Sequence, residues 1–312
     1  MKKSLIALAV AATAATAATP MVASAAMLQA ADPDQSGINL YGSLRPQYVN
    51  AGNGSDMGDG ASRWGIKGSH DLGNGQAAFY RMEMKVNTAN ATFAEGGRLA
   101  YAGLKGGWGA AAAGQQWTPY YSTIGSPSDI FASNGLDNYN DTGGPFRASN
   151  VLSYALPTGM VIGGAIAAII DGEEFDENGL IQNDDEVDAV SLGLTAMAGP
   201  VQIGFGVHDN DPVDRTRVGL SLSGDLGPVF AAFMIEDTDP AEGDGGSTPW
   251  AVTAQWLGIG IQYGDRDFDD DSAFLTLGYQ YRLSGNSRIQ FSWENDDQAD
   301  DDKFVARWRV DF

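Results

Sequence analysis

Apolar residues recur at every second position along most of the chain, and the stretch KFVARWRVDF at residues 303–312 shows this most clearly. The side chains on its other face include Lys303, Arg307, Arg309 and Asp311. A period of two is that of a β-strand whose two faces meet different surroundings. The apolar face consists of Phe304, Ala306, Trp308, Val310 and Phe312. We therefore expect a strand with one apolar and one charged face.

From about residue 38 to residue 312, segments of roughly ten residues with this alternation follow one another, separated by turns. Short turns rich in glycine, proline and asparagine alternate with longer, more acidic connections, and about sixteen strands fit between them. The longer connections include residues 51–61, 171–186, 237–248, 267–271 and 295–301. An even strand count with short turns at one end and long loops at the other predicts an all-β fold, a transmembrane antiparallel β-barrel.

Nearly all arginines fall on the polar face of the predicted strands. At the lipid midplane each would cost about 2–4 kcal/mol, so this face must meet water. A soluble β-sandwich would pack its apolar faces together but leaves this second face unexplained. A closed barrel of about sixteen strands can enclose an aqueous channel. One sector of its wall should be basic, because the first strands and the last strand adjoin there; it comprises Arg45, Arg63, Arg81, Arg98, Arg147, Arg307 and Arg309.

Residues 118–146 form the longest connection without clean alternation, and loops of this length are usually functional or disordered. Several aromatic side chains favour packing over disorder. The segment carries Asp129, Asp137 and Asp141 and has no basic residue before Arg147. Folded into the barrel, this third long loop would narrow the lumen and set carboxylates opposite the arginines. The expected result is a constriction with a transverse field, which selects solutes by charge and size.

The first 25 residues have the order of a secretory signal peptide: two lysines, an apolar run and an Ala23–Ser24–Ala25 cleavage site. We expect residues 26–37 to form a short N-terminal segment and residues 38–312 the barrel. Loss of Lys2 and Lys3 with the signal leaves 16 basic and 40 acidic residues, a formal charge of −24. This charge argues against nucleic acid as a partner and indicates a preference for cations. A saline habitat is a second explanation for such acidity.

The sequence offers no pattern for catalysis, a metal or a cofactor, so we expect none of the three. It contains no cysteine, no G-x-S-x-G motif and two histidines, His70 and His208, without a patterned serine and acid. The acidic stretch DENGLIQNDDE lacks the spacing of a calcium loop. The glycine-rich stretch GGWGAAAAG is not followed by the Lys-Ser/Thr of a phosphate loop.

Several stretches together resemble a known family, the trimeric sixteen-stranded general diffusion porins of Gram-negative bacteria. They are INLYGSLR (38–45), SRWGIKGSHDLGNG (62–75), GRLAYAGLKGGWG (97–109), GQQWTPYY (114–121), RASNVLSYALP (147–157) and the terminal RWRVDF. The resemblance implies that Arg63, Arg98 and Arg147 are wall arginines facing acids on an inward-folded third loop, with Asp129 at a family aspartate position. In the family, a terminal aromatic residue belongs to the signal that the outer-membrane assembly machinery reads, and the resemblance implies this role for Phe312.

The resemblance further implies a homotrimer in the outer membrane, in contact with lipid and lipopolysaccharide, through which ions and small hydrophilic solutes diffuse passively. Two function classes stay open. One is a non-specific, water-filled channel; the other is a substrate-specific channel or an outer-membrane adhesin. A sugar-specific pore should carry a ladder of aromatic side chains along its lumen. The inward-facing positions here are mostly charged or small, which favours the diffusion channel.

Overall fold

The computed structural model describes residues 37–52, 54–132, 146–170, 187–211, 214–239, 246–267, 272–296 and 301–312. The expected signal peptide and nearly all of the segment 26–37 therefore lie outside the described residues. So do Asp137 and Asp141 and most of the long acidic connections. In the described part of the chain, no helix is both long enough and apolar enough to cross a membrane.

Antiparallel strands dominate the described residues. The first nine are β1 (Gly37–Leu44), β2 (Pro46–Ala51), β3 (Gly54–Asp59), β4 (Arg63–Gly73), β5 (Gln76–Asn87), β6 (Thr92–Gly106), β7 (Gly109–Trp117), β8 (Arg147–Ala155) and β9 (Ile162–Ile169). The remaining nine are β10 (Ala189–Ala198), β11 (Val201–Asn210), β12 (Arg215–Leu226), β13 (Val229–Thr238), β14 (Trp250–Trp256), β15 (Ile259–Asp265), β16 (Ala273–Arg282), β17 (Ser287–Asp296) and β18 (Asp301–Asp311). One short helix, α1 (Pro119–Thr123), lies between β7 and β8.

These segments make sixteen barrel strands, because β1 and β2 continue one another and β3 and β4 do the same. Each strand pairs with its sequence neighbour, and β18 closes the cylinder against β1 and β2. The closing register sets Ser43 opposite Asp311 and Gln47 opposite Arg307. The predicted all-β class, the strand count and the pairing of the last strand with the first are confirmed.

The alternation separates the two faces as expected. Ile38 on β1 is 76% exposed on the outside, whereas Glu83 on β5 is 1% exposed. Exposed apolar side chains recur at alternate positions on many strands, as with Val218, Leu220 and Leu222 on β12. Such an outer surface could not face water over so large an area, and its natural solvent is lipid.

Two details differ from the sequence-based expectation. Residues 51–61, predicted as a loop, contain β3, which pairs with β2. Pro46 lies opposite Asp59 at one end of the pairing, and Ala51 lies opposite Gly54 at the other. Glycine and aspartate are poor strand formers, but backbone pairing with β2 overrides that preference. The alternation of AAFYRMEMKV (77–86) predicts that Val86 points outward with Met82 and Met84, but Val86 is 7% exposed, because the β5–β6 register shifts between Glu83 and Met84 and again between Lys85 and Asn87.

Candidate pore constriction

The third loop enters the barrel immediately after β7, through a helix start that the local sequence encodes. The Thr118 side chain accepts a hydrogen bond from the Tyr121 backbone N–H, and Pro119 occupies the first helical turn. Threonine followed by proline is a favoured start because proline has no N–H to satisfy. Most of helix α1 is buried, and Tyr120 and Ile124 are at 0% exposure. The prediction of an inward-folded third loop is confirmed for residues 118–132.

The loop follows the inner wall, and wall side chains bind its backbone groups one after another. Ser191 on β10 accepts a hydrogen bond from the Tyr120 N–H at 3.1 Å, and Ser221 on β12 donates to the Thr123 carbonyl at 2.7 Å. Further round, Gln262 on β15 donates to the Ser128 carbonyl at 3.0 Å. Buried backbone groups need such partners, so these contacts allow a loop to lie inside a barrel.

At its far end the described part of the loop reaches the seam strand β18. The Arg307 guanidinium donates to the Ala132 carbonyl at 2.5 Å and to the Gln47 side-chain oxygen at 2.9 Å. The loop therefore extends across the lumen-facing wall from β7 to β18. Sequence reasoning predicted the inward fold but missed Ser191, Ser221 and Gln262, because a polar side chain on an inward position has the same pattern whether it meets water or a loop.

Glu83 on β5 is the centre of the basic sector. Arg98 donates to one of its carboxylate oxygens at 2.8 Å, and Arg81 donates to the other at 3.0 Å. The Arg63 guanidinium lies 3.9 Å from that second oxygen. Tyr41 donates to it at 3.0 Å and accepts from Arg81 at 2.7 Å. One carboxylate thus orders three guanidinium groups, and charge-assisted bonds of this kind are the stronger ones in proteins.

The seam holds a second group of arginines. Arg45 lies close enough to Arg63, Arg307 and Arg309 for their charges to repel one another. Arg309 donates a hydrogen bond to the Asp311 carboxylate at 2.8 Å, and Arg288 donates to the same carboxylate at 2.9 Å. The predicted proximity of Arg45, Arg307 and Arg309 is thus present in the geometry.

Arg147 stands at the return of the loop and differs from the others in its surroundings. Its guanidinium lies over the Trp117 ring at 5.0 Å and over the Phe146 ring at 5.1 Å. Such cation–π contacts hold an arginine without a carboxylate. Arg147 is also within electrostatic range of Arg98 and Arg63, which joins it to the Glu83 group.

Asp129 is the one predicted loop acid among the described residues. The Tyr121 hydroxyl donates to its carboxylate at 2.7 Å. Burial, and then the Asp129 charge, raise the pKa of Tyr121 far above its ordinary value, so the phenol stays a donor. Asp129 is close enough to Arg307 for their opposite charges to attract. The loop carboxylate and the wall arginine are thus within electrostatic range of each other.

Phe312 ends β18 beside β1. Its backbone exchanges two hydrogen bonds with Gly42, at 2.9 and 3.1 Å, and its ring lies where a Gly42 side chain would be. Of the remaining polar-face arginines, Arg288 joins the seam group through Asp311, whereas Arg266 pairs with Asp296 at 2.8 Å. Within the described ranges, no group of three or more histidine, aspartate or glutamate side chains could hold a metal ion.

A closed barrel with an apolar outer surface, a charged interior and a loop folded inside defines the class of outer-membrane pore proteins. The sequence model of the Gram-negative porin family matches residues 5–301. The chain belongs to this family and is an outer-membrane protein.

Relatives and solved structures agree with that assignment. The major outer membrane protein P.IB of Neisseria gonorrhoeae is 33% identical over 126 residues, which are 39% of this chain and 34% of that protein. P.IB of Neisseria lactamica is 32% identical over 117 residues, 36% of this chain and 33% of that protein. The chain thus spans about a third of the length of the curated relatives it matches.

Two solved porins show the fold. An anion-selective porin from Comamonas acidovorans has a TM-score of 0.71 at 18% identity, covering 89% of this chain and all (100%) of that one. Salmonella typhi OmpF, solved with daunomycin, has a TM-score of 0.70 at 16% identity, covering 91% of this chain and 100% of that one. At these identities the likeness concerns the fold alone.

Proposed function

We propose that the protein is a water-filled channel through which ions and small hydrophilic solutes cross the outer membrane by passive diffusion. The observation that carries the proposal is a loop packed inside the barrel and bonded to its wall, with the Glu83-centred arginines on the part of the wall that bears the basic sector. A loop that lies along the inner wall narrows the lumen but does not fill it with apolar side chains. Charged groups at close quarters in a water-filled passage are how channels discriminate among solutes.

We assign the constriction to the basic sector and the loop acids. The wall residues are Arg45, Arg63, Arg81, Arg98, Arg147, Arg307 and Arg309, and the acids are Asp129, Asp137 and Asp141. Asp129 is supported by its place on the inward-folded loop, within electrostatic range of Arg307. Asp137 and Asp141 stay in the assignment on sequence position alone, since they lie outside the described residues.

The channel should prefer cations. The support is the formal charge of −22 over the whole sequence, which raises the concentration of cations near the protein. The arginines act in the opposite direction, because seven of them line the proposed constriction. A preference for cations therefore requires that the acids of the outer connections outweigh the basic sector, and a reversal potential under a salt gradient measures the balance.

The same proposal includes a homotrimer, contact with lipopolysaccharide, and recognition of Phe312 by the outer-membrane assembly machinery. A trimer form is named for a structural relative, OmpT of Vibrio cholerae, with a TM-score of 0.65 at 12% identity, covering 89% of this chain and 100% of that one. The signal peptide at residues 1–25, with residues 26–37 preceding the barrel, would direct export. We also propose that transport involves no catalysis: His208 is buried beside the Tyr120 ring, and His70 is an exposed residue of β4.

The second candidate function is a substrate-specific channel or an adhesin. Three aromatic residues at the two ends of the loop's entry and return, Trp117, Tyr121 and Phe146, pack on one another with ring centroids 4.4 to 5.2 Å apart. They form one cluster under Arg147 instead of a ladder along the lumen. This arrangement favours non-specific diffusion.

Purified protein in a planar lipid bilayer tests the proposal. We expect stepwise increases of ionic current as channels insert, and swelling of proteoliposomes in small sugars and amino acids at rates that depend on solute size. Silent bilayers at high protein load would reject the channel function. Swelling in one sugar alone would favour the substrate-specific alternative.

A further inference from the structure

The wall beneath helix α1 contains a row of glycines in register. Gly193 on β10 lies opposite Gly206 on β11, which lies opposite Gly219 on β12. The next residue in the row, on β13, is Glu236. Glycine weakens a strand interior, and where it occurs there it often marks a site of close approach. Three aligned glycines ending at a buried carboxylate form a groove that the barrel does not need for its own closure.

The side chain of Tyr120 occupies this groove. A Cβ atom added to Gly206 would lie 2.9 Å from the Tyr120 ring and 2.8 Å from Ile124, and one added to Gly219 would lie 2.9 Å from the Tyr120 hydroxyl. That hydroxyl donates to the Glu236 carboxylate at 2.5 Å. Tyr120 is 0% exposed and Glu236 is 1% exposed. The Tyr120 side chain therefore lies over Gly206 and Gly219, and its hydroxyl reaches the acid at the end of the row, whereas Pro119 and Thr123 of α1 lie over Gly193.

The groove connects to the charged residues of the loop by a short path. Tyr120 and Tyr121 are successive residues of α1, so fixing one fixes the backbone of the other. Tyr121 donates to Asp129, which is within electrostatic range of Arg307. A shift of the Tyr120 ring out of the groove would move α1 into the lumen and carry Asp129 with it.

We infer that Tyr120 and Glu236, joined over the Gly193–Gly206–Gly219 row, are the positioning residues that set the bore and the field of the constriction. They act through the loop and need not touch a permeating solute. This inference rests on the proposed channel function, and it adds which contacts keep the channel open. The groove works only while it stays free of side chains.

Tyr120→Phe is the first test, because it removes the bond to Glu236 without changing any charge. We expect a several-fold increase in the variance of the open-channel current and a lower mean conductance, since the released loop would sample positions inside the lumen. Glu236→Leu, which offers the Tyr120 hydroxyl no acceptor, should have the same effect on the noise. Tyr154→Phe is the matched control: the Tyr154 hydroxyl donates to the Trp108 carbonyl on the outer face. It should leave both quantities unchanged.

Gly206→Val tests the groove itself and keeps a residue that strands favour. We expect a smaller conductance and exclusion of smaller polymers than in the wild type. Gly96→Val on β6 is its control, because a Cβ there meets nothing within 4 Å. Heat-dependent mobility on gels reports whether each variant folds, and Tyr120→Phe still tests the inference if Gly206→Val does not.

The outcomes separate the two proposals. A silent wild type would reject the channel function. A conducting wild type whose Tyr120→Phe and Glu236→Leu variants keep its noise, conductance and size limit would overturn the positioning role and leave the channel function standing.

Discussion

The two halves of the barrel wall meet the lumen with opposite side chains. The half formed by β1–β8 and β18 presents long guanidinium groups ordered by Glu83 and Asp311. Where the loop lies against it, the half formed by β10–β16 presents glycines, hydroxyls and an amide, together with the buried carboxylate of Glu236. The first half carries charged side chains toward the lumen, and the second half contacts the folded loop. The proposed constriction is the space between them, and on that proposal the first half sets its charge and the second its size.

The largest effect should come from removing the acid of the charged half. Glu83→Gln would leave Arg63, Arg81 and Arg98 without their shared carboxylate, and loss of one partner of a buried ion pair costs about 3–5 kcal/mol when water cannot replace it. Water in the lumen will reduce that cost, so we expect a folded channel with a strong shift toward anions. Reversal potentials under a salt gradient measure the shift.

Glu294→Gln is the matched control for that variant. Glu294 is an equally buried wall carboxylate on β17, far in sequence from the Glu83 group. An anion shift as large in Glu294→Gln as in Glu83→Gln would mean that general lumen charge, and not the ordered arginine group, decides selectivity.

A second effect concerns the other half of the wall, at the far end of the loop. Gly260 and Gly278 lie opposite one another on β15 and β16, and a Cβ on either would lie 2.7 to 2.8 Å from the Phe131 ring. Gly278→Val should displace this ring and lower single-channel conductance, with little change in the reversal potential. A changed reversal potential with normal conductance would show that the two halves do not divide charge and size between them.

A smaller effect is expected at the loop's return. Arg147→Lys keeps the charge but loses the planar group that lies over Trp117 and Phe146, contacts worth about 0.5–2 kcal/mol each in proteins. We expect nearly unchanged selectivity and a modest loss of thermal stability, measured by the temperature at which the barrel loses its folded mobility on gels. Unchanged stability would show that the aromatic cluster does not depend on Arg147.

The charged half could be predicted from the sequence, because charged residues on one face of a strand show that this face meets water and not lipid. The alternation assigned Arg63 and Arg98 to the inside, and barrel closure brought Arg307 and Arg309 toward Arg45. The ordering role of Glu83 could not be predicted, since it depends on which neighbours in three strands meet at one oxygen atom.

The loop-bearing half could not be predicted in this way. Gly193, Gly206 and Gly219 are separated in the sequence and become a row only through the strand register. Each one alone looks like an ordinary strand glycine. The helix start at Thr118–Pro119 was readable from local rules, but its burial depends on Ser191, Ser221 and Glu236, which come much later in the chain. The inner surface of this half is determined by the pairing of strands that are distant in the sequence, and not by local sequence patterns.

The most direct test of the central claim is a set of reversal potentials for the wild type, Asp129→Asn and the double variant Arg63→Gln, Arg98→Gln, each under the same salt gradient. If wall and loop form one charged constriction, Asp129→Asn should shift the potential toward anion preference, and the arginine variant should shift it toward cation preference, by a larger amount. Potentials that stay at the wild-type value in both variants, with conductance intact, would contradict the account.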